Sequence, residues 1–60
     1  MPTLLIIKRI ERLEKRIYHL RRKVLSLYGV DNKNRQEEID KIQEIIERYE
    51  SIVENLEERL

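Results

Sequence analysis

Hydrophobic residues recur at alternating intervals of three and four along both halves of the chain. In the first half, the residues at these intervals are Ile6, Ile10, Leu13, Ile17, Leu20, Val24 and Leu27. This is a heptad repeat, abcdefg, in which the side chains at positions a and d pack against a neighbouring helix. With Ile10 at position a, the a sites are β-branched and the d sites are leucine. The pattern predicts an amphipathic helix over about residues 3–28.

The second half repeats the heptad and broadens it. Its seam residues are Ile39, Ile42, Ile46, Tyr49, Val53 and Leu56. Ile45 and Ile52 lie at position g and widen the apolar stripe on one side. A stripe of this width is typical of a helix in a bundle rather than of an isolated helix pair. The pattern predicts a second helix over about residues 34–59.

The heptad changes phase between the two halves. Continuing the first repeat places the next a site at position 38, whereas the second stripe has its a site at Ile39. This slip favours a turn, over about residues 29–33, instead of one continuous helix. Gly29 is expected to end the first helix in a left-handed conformation, with Val30 against Leu25. The sequence therefore predicts one all-α domain, residues 1–60, folded as an antiparallel, coiled-coil-like helical hairpin.

The length of the chain makes association with another chain an expectation. Sixty residues without cysteine have neither the size nor the disulfides that stabilise small domains, which leaves oligomerisation. The first helix also has an apolar flank formed by Ile7, Tyr18, Leu25 and Tyr28. Two widened stripes exceed what one hairpin can bury, so we expect a homodimer in which two hairpins form a four-helix bundle. A partner helix from another protein or a higher oligomer is the alternative.

The residues expected at the oligomer interface are those of the two widened stripes. They are Ile10, Leu13, Ile17, Leu20, Val24, Leu27, Ile39, Ile42, Ile45, Ile46, Tyr49, Ile52, Val53 and Leu56.

Charged residues make up 42% of the chain, although the net charge is only +1. The first half is basic and the second half is acidic. The bases at positions c, f and g of the first helix form a surface without acids, here called the basic stripe. Its residues are Lys8, Arg9, Arg12, Lys15, Arg16, Arg22 and Lys23. It is either an ordinary solvated helix face or a surface that binds RNA or DNA through charge and shape.

The g row of the basic stripe also complements the acids of the second helix. Arg9, Arg16 and Lys23 match the acidic e row that contains Glu50 and Glu57. Antiparallel neighbours pair e with e and g with g, so this match requires a parallel contact. A contact of that kind is available between two chains.

The predicted layout resembles the Rop family of small plasmid regulators. The resemblance covers the length, the hairpin layout and the polar face of the first helix. It implies that two hairpins pair into a four-helix bundle. It also implies that paired RNA loops bind along a face made by the first helices.

A second stretch is similar to the signature of small sporulation-type aspartyl-phosphate phosphatases, which are also helical hairpins. Their second helix carries Ser-Gln-Glu-Leu-Asp, and the corresponding residues here are Gln36-Glu37-Glu38-Ile39-Asp40. Glu38 and Asp40 match, and Ile39 replaces leucine conservatively. The resemblance implies a phosphatase, but Gln36 and Glu37 replace the leading Ser-Gln pair, and we expect no such activity.

Residues for catalysis or metal binding are sparse. His19 is the single histidine and lies among lysines, which disfavours metal binding. Glu47, Glu50, Glu54 and Glu57 lack the Glu-x-x-His spacing of di-metal bundles. There is no phosphate-binding Gly-rich loop and no nucleophile–base pair. We expect a non-enzymatic protein without cofactor, metal or small-molecule substrate.

The strict heptad commits the apolar surface to protein packing, so we do not expect membrane binding. The apolar run from Leu4 to Ile7 is much shorter than a membrane span, and we expect a cytoplasmic protein. The preferred function is a self-associating interaction or structural module. The alternative function is a small nucleic-acid-binding regulator that uses the basic stripe.

Overall fold

Two helices make up the fold: α1, Pro2–Leu27, and α2, Arg35–Glu57. The structure is a computed structural model, which describes residues 2–29 and 33–60. These described residues contain no strand, and the two helices pack against each other as a hairpin. The prediction of an all-helical hairpin is therefore confirmed. Each helix begins and ends within one or two residues of the predicted boundary.

The heptad seams form the core of the hairpin. The a residues of α1 are buried against both the a and the d residues of α2. The buried set is Ile10, Ile17, Val24, Ile39, Ile42, Ile46, Val53 and Leu56. Burying these side chains drives the pairing of the helices, since removal of apolar surface from water is the main favourable contribution to folding. Ile39 is the most deeply buried residue, with 1% of its surface exposed.

The leucine row of α1 is less well covered than its a row. The d residues Leu13, Leu20 and Leu27 are only half-buried, as is Tyr49 at a d site of α2. Position d borders position g around a helix, whereas position a borders position e. The seam of α1 is therefore closed more fully at its a row than at its d row, and apolar surface stays open on the g side of the hairpin at the leucines of α1 and at Tyr49.

The glycine at the end of α1 does not behave as predicted. Gly29 follows α1 but does not have a positive φ angle, so the predicted left-handed cap is wrong. Its N–H donates to the Ser26 carbonyl oxygen at 3.4 Å, which closes a turn over residues 26–29 at the end of α1. The predicted contact of Leu25 with Val30 lies outside the described residues. The Arg35 guanidinium donates to the Tyr28 carbonyl oxygen at 3.5 Å and joins the start of α2 to the end of α1.

Surface contacts within the first turns of α2 favour the helix. Gln36 Nε2 donates to Asp40 Oδ1 at 2.9 Å, and Lys41 Nζ lies 3.7 Å from Glu37 Oε1. The two residues of each pair are four apart, a spacing that stabilises an exposed helix by about 0.2–0.5 kcal/mol per pair.

Neither described helix has an apolar stretch long enough to cross a membrane.

Candidate interaction surfaces

The two broad sides of the hairpin are distinguished by a contact between the helices. Arg21 Nη2 donates to Glu50 Oε2 at 3.2 Å, and both residues are at position e. Contact between e rows is the arrangement of antiparallel helices. Positions e and b of both helices therefore share one side of the hairpin.

Two shallow depressions adjoin the Arg21–Glu50 ion pair on this side. One is lined by Glu14, Ile17, Tyr18, Arg21, Glu50, Val53, Glu54 and Glu57. The other is lined by Arg21, Val24, Leu25, Gln43, Ile46, Glu47 and Glu50. Buried a residues line both depressions, and acids are most of the other lining residues in the first depression and two of the five in the second.

The opposite side of the hairpin brings together positions c and g. A third depression is lined there by Arg16, His19, Leu20, Ile45 and Tyr49. Leu20 and Tyr49 are two of the incompletely covered d residues, and Ile45 is one of the two g residues that widen the stripe of α2. Apolar surface from both helices therefore adjoins the guanidinium of Arg16.

Acids and bases are divided more completely between the two sides of the hairpin than between its two helices. On the c and g side, called the basic face, α1 and α2 both contribute cations. These are Arg9, Arg12, Arg16, Lys23, Lys41 and Arg48, all exposed. Within the two described helices, Glu38 is the one acid at a c or g position. Lys41 lies 3.7 Å from Glu37 on its own helix, and Arg48 lies on the same side of the hairpin as the g-row cations of α1.

The e and b side has the opposite sign and is called the acidic face. Its acids also come from both helices: Glu11, Glu14, Asp40, Glu47, Glu50, Glu54 and Glu57, all exposed. Arg21 is the one base at an e or b position of the described helices, and it is bound to Glu50. The hairpin consequently has one basic and one acidic broad surface.

Each face also exposes large apolar side chains. On the acidic face, Tyr18 is 56% exposed and Leu25 is 68% exposed. On the basic face, Ile45 and Ile52 are both 39% exposed. The additional flanks of the two helices therefore point to opposite sides of the hairpin, and a single contact with another molecule covers only one of them.

The residues predicted to form the oligomer interface divide into two groups. Most lie within the hairpin, where they are buried or half-buried between α1 and α2. Ile45 and Ile52 are the exposed members of the set. The apolar surface available to another molecule thus includes these isoleucines, the half-buried leucines of α1 with Tyr49, and the apolar residues of the acidic face.

The basic stripe predicted on α1 is exposed along its length, and the structure divides it. Its c and g residues join the basic face, while Lys8, Lys15 and Arg22 lie along the outer edge of α1. The guanidinium of Arg22 lies 5.9 Å from the centre of the Tyr18 ring, within the range of a cation–π contact.

Lys41 and Arg48 were missed by the sequence reasoning, which treated α2 as an acidic helix. A signal for them was present. Both are at position c, and the rule that antiparallel helices pair g with g predicts which side of the hairpin they share with α1.

Chemical groups for metal binding do not gather in the described residues, where no three His, Cys, Asp or Glu side chains form a cluster suited to an ion. Comparison of the chain with protein-family models, with curated proteins and with solved structures found no match. The functional interpretation therefore rests on the two faces themselves.

Proposed function

We propose that this protein is a non-enzymatic, self-associating interaction module. The observation that carries the proposal is the exposure of large apolar side chains, Ile45, Ile52, Tyr18 and Leu25, on both faces of so small a fold. Exposed apolar surface of this kind, rimmed by charged groups, is characteristic of protein–protein contact sites. The smallest assembly that covers one face is a pair of hairpins, which has the form of a four-helix bundle.

The dimensions of the hairpin support this role. The Cα atoms extend over 48 × 14 × 9 Å, so one broad face approaches the roughly 800 Å² per partner that stable protein interfaces bury, even before side chains are counted. A second copy is the partner that is always present with the chain. Its affinity would add to the stability of the hairpin by mass action.

The test is the dependence of thermal unfolding on protein concentration, followed by circular dichroism. The expected result for the natural chain is a midpoint that rises with concentration. Ile45→Gln together with Ile52→Gln is expected to flatten that rise, whereas Ser51→Gln, an exposed outer position of α2, leaves it unchanged. A midpoint that is independent of concentration for the natural chain would overturn the proposal.

Nucleic-acid binding is the second candidate function, favoured by the gathering of cations from both helices on the basic face. Guanidinium groups suit bidentate contacts with phosphate, and Arg12, Arg16 and Arg48 are exposed there. Binding through phosphate releases counterions, so the affinity for RNA or DNA is expected to fall steeply as salt is added.

A gel-shift titration at several salt concentrations tests this candidate. Arg48→Gln is expected to weaken binding, because α2 contributes to the basic face in the folded hairpin. Arg21→Gln removes the same charge from the acidic face and is the matched control, which should bind as the natural chain does. Absence of binding at low salt, or equal effects of the two substitutions, would exclude the basic face as a nucleic-acid site.

A further inference from the structure

We infer that two copies of this chain associate by placing the basic face of one copy on the acidic face of the other. This inference rests on the proposed function, because it specifies the contact through which self-association occurs. The partner is a second copy, and the reason is charge complementarity between two surfaces of the same molecule.

Contact between identical faces is disfavoured by like charges. A two-fold contact between basic faces would bring the cations of this face, which include Arg9, Arg16 and Lys23, towards a second face of the same positive sign. Glu38 is the one acid available at c and g positions in the described helices. A two-fold axis through the acidic face would gather Glu47, Glu50, Glu54 and Glu57 of both copies around two arginines. Like charges brought together in an interface oppose association.

Contact between opposite faces removes this conflict. The g row of α1 in one copy then meets acids of the other, and the cations contributed by α2 find acids as well. Both faces run along the same two helices, so the basic face of one copy can overlie the acidic face of another along the length of the hairpin. Attraction at the rim of an interface also selects the orientation and the partner.

The apolar residues of the two faces are complementary in the same contact. The basic face has a depression between Leu20, Ile45 and Tyr49, where the d rows are incompletely covered. The acidic face presents Tyr18 and Leu25, which are more than half exposed. Opposite-face contact therefore places the exposed residues of one copy on the open depression of the other. Repeated contacts of this kind cover both sets in every inner copy, while contact between identical faces leaves one set exposed in each copy.

The contact has a consequence for the size of the assembly. Each pair of hairpins retains one free basic face and one free acidic face. A contact between two different surfaces leaves a free surface at each end of the assembly. The assembly closes only if the rotation from each copy to the next completes a ring, and otherwise it keeps growing. The average mass is therefore expected to continue rising with concentration beyond that of a dimer.

Two variants of opposite design test the inference by sedimentation velocity. Arg16→Glu with Arg48→Glu alters the basic face on both helices. Glu14→Lys with Glu54→Lys alters the acidic face on both helices. Each variant alone is expected to self-associate about tenfold more weakly than the natural chain, and an equimolar mixture is expected to recover association.

Other outcomes contradict the inference in distinguishable ways. If one variant alone associates as strongly as the natural chain, the contact joins identical faces, which overturns the inference and leaves the proposed function standing. A mixture that does not recover association also overturns it. If the natural chain fails to associate at any concentration, the proposed function itself fails.

Salt provides a readout that does not depend on the folding of any variant. Attraction between opposite faces is screened by added salt, so association of the natural chain is expected to weaken as sodium chloride is raised. Association that strengthens with salt would indicate contact between like-charged faces and overturn the inference.

The mixing experiment can be repeated without reversed charges. One variant then carries Arg16→Gln with Arg48→Gln, and the other carries Glu14→Gln with Glu54→Gln.

Discussion

Arg21 and Glu50 join the two helices through an ion pair of 3.2 Å between side chains that remain largely in water. Their relationship identifies which rows of α1 and α2 meet, because both residues are at position e. It also leaves the g rows on the opposite side, which carries cations from both helices. This one contact therefore explains how an almost neutral chain acquires two oppositely charged faces.

The ion pair is expected to contribute little stability despite its position. The side chains of Arg21 and Glu50 are 60% and 48% exposed, and pairs exposed in this way contribute about 0.2–1 kcal/mol in water. A double-mutant cycle with Arg21→Ala and Glu50→Ala, measured by urea unfolding, should give a coupling energy at the lower end, roughly 0.3 kcal/mol, that falls with salt. A coupling energy above about 1 kcal/mol would show that the pair is far better protected from water than its exposure indicates.

The core is expected to be sensitive at Ile39, which is 1% exposed. Ile39→Val removes one buried methyl group and should cost about 1 kcal/mol of unfolding free energy at every protein concentration. Ile52→Val makes the same chemical change at a residue that is 39% exposed. This control should mainly alter how the melting temperature depends on concentration. Equal losses of unfolding free energy for Ile39→Val and Ile52→Val at low protein concentration would contradict the assignment of Ile39 to the core.

Gly29→Ala is expected to stabilise the hairpin. Gly29 does not use a positive φ angle, and an added Cβ would lie 3.7 Å from the Ser26 carbonyl oxygen, an ordinary contact distance. Alanine restricts the unfolded chain, so the gain should be about 0.4–1 kcal/mol by chemical denaturation.

A synthetic chain with D-alanine at position 29 provides the matched control for that substitution. D-alanine favours positive φ and should destabilise the same turn. The reverse order of stabilities would mean that the backbone at this glycine is left-handed.

Leu25 tests whether the acidic face takes part in self-association. Leu25 is 68% exposed, so Leu25→Gln should leave the helix content of the hairpin unchanged. Covering a leucine in an interface contributes up to about 1.5–3 kcal/mol, and its loss should weaken association by tenfold or more, measured by sedimentation velocity. Ser51→Gln, on the outer edge of α2, is the control. An unchanged association constant for Leu25→Gln would place the contact elsewhere.

The hairpin could be predicted from the sequence because the apolar residues that form its core recur at regular intervals. The spacing of Ile10, Ile17 and Val24 fixes which side of α1 is apolar, and the phase slip before Ile39 indicates a turn. The residues in the core are therefore those at the heptad seams. The behaviour of Gly29 was not predictable in the same way, since glycine accepts both signs of φ and the choice depends on how the chain leaves α1.

The two charged faces depend on the tertiary arrangement rather than on either helix alone. Residue counts along the chain suggest a basic helix beside an acidic helix. Only the pairing of e with e, seen at Arg21 and Glu50, brings Lys41 and Arg48 to the same side as Arg16. A prediction of charged surfaces in such hairpins therefore requires the heptad positions of both helices to be combined with their relative direction.

We expect the apolar residues that one hairpin leaves exposed to be covered by another copy of the chain. Sedimentation equilibrium of the natural chain at low salt, from micromolar to millimolar concentration, measures this most directly. We predict a weight-average mass that rises above the 7.4 kDa of the single chain as concentration increases. A mass that stays at 7.4 kDa over the whole range, with the helices fully formed, would contradict the claim.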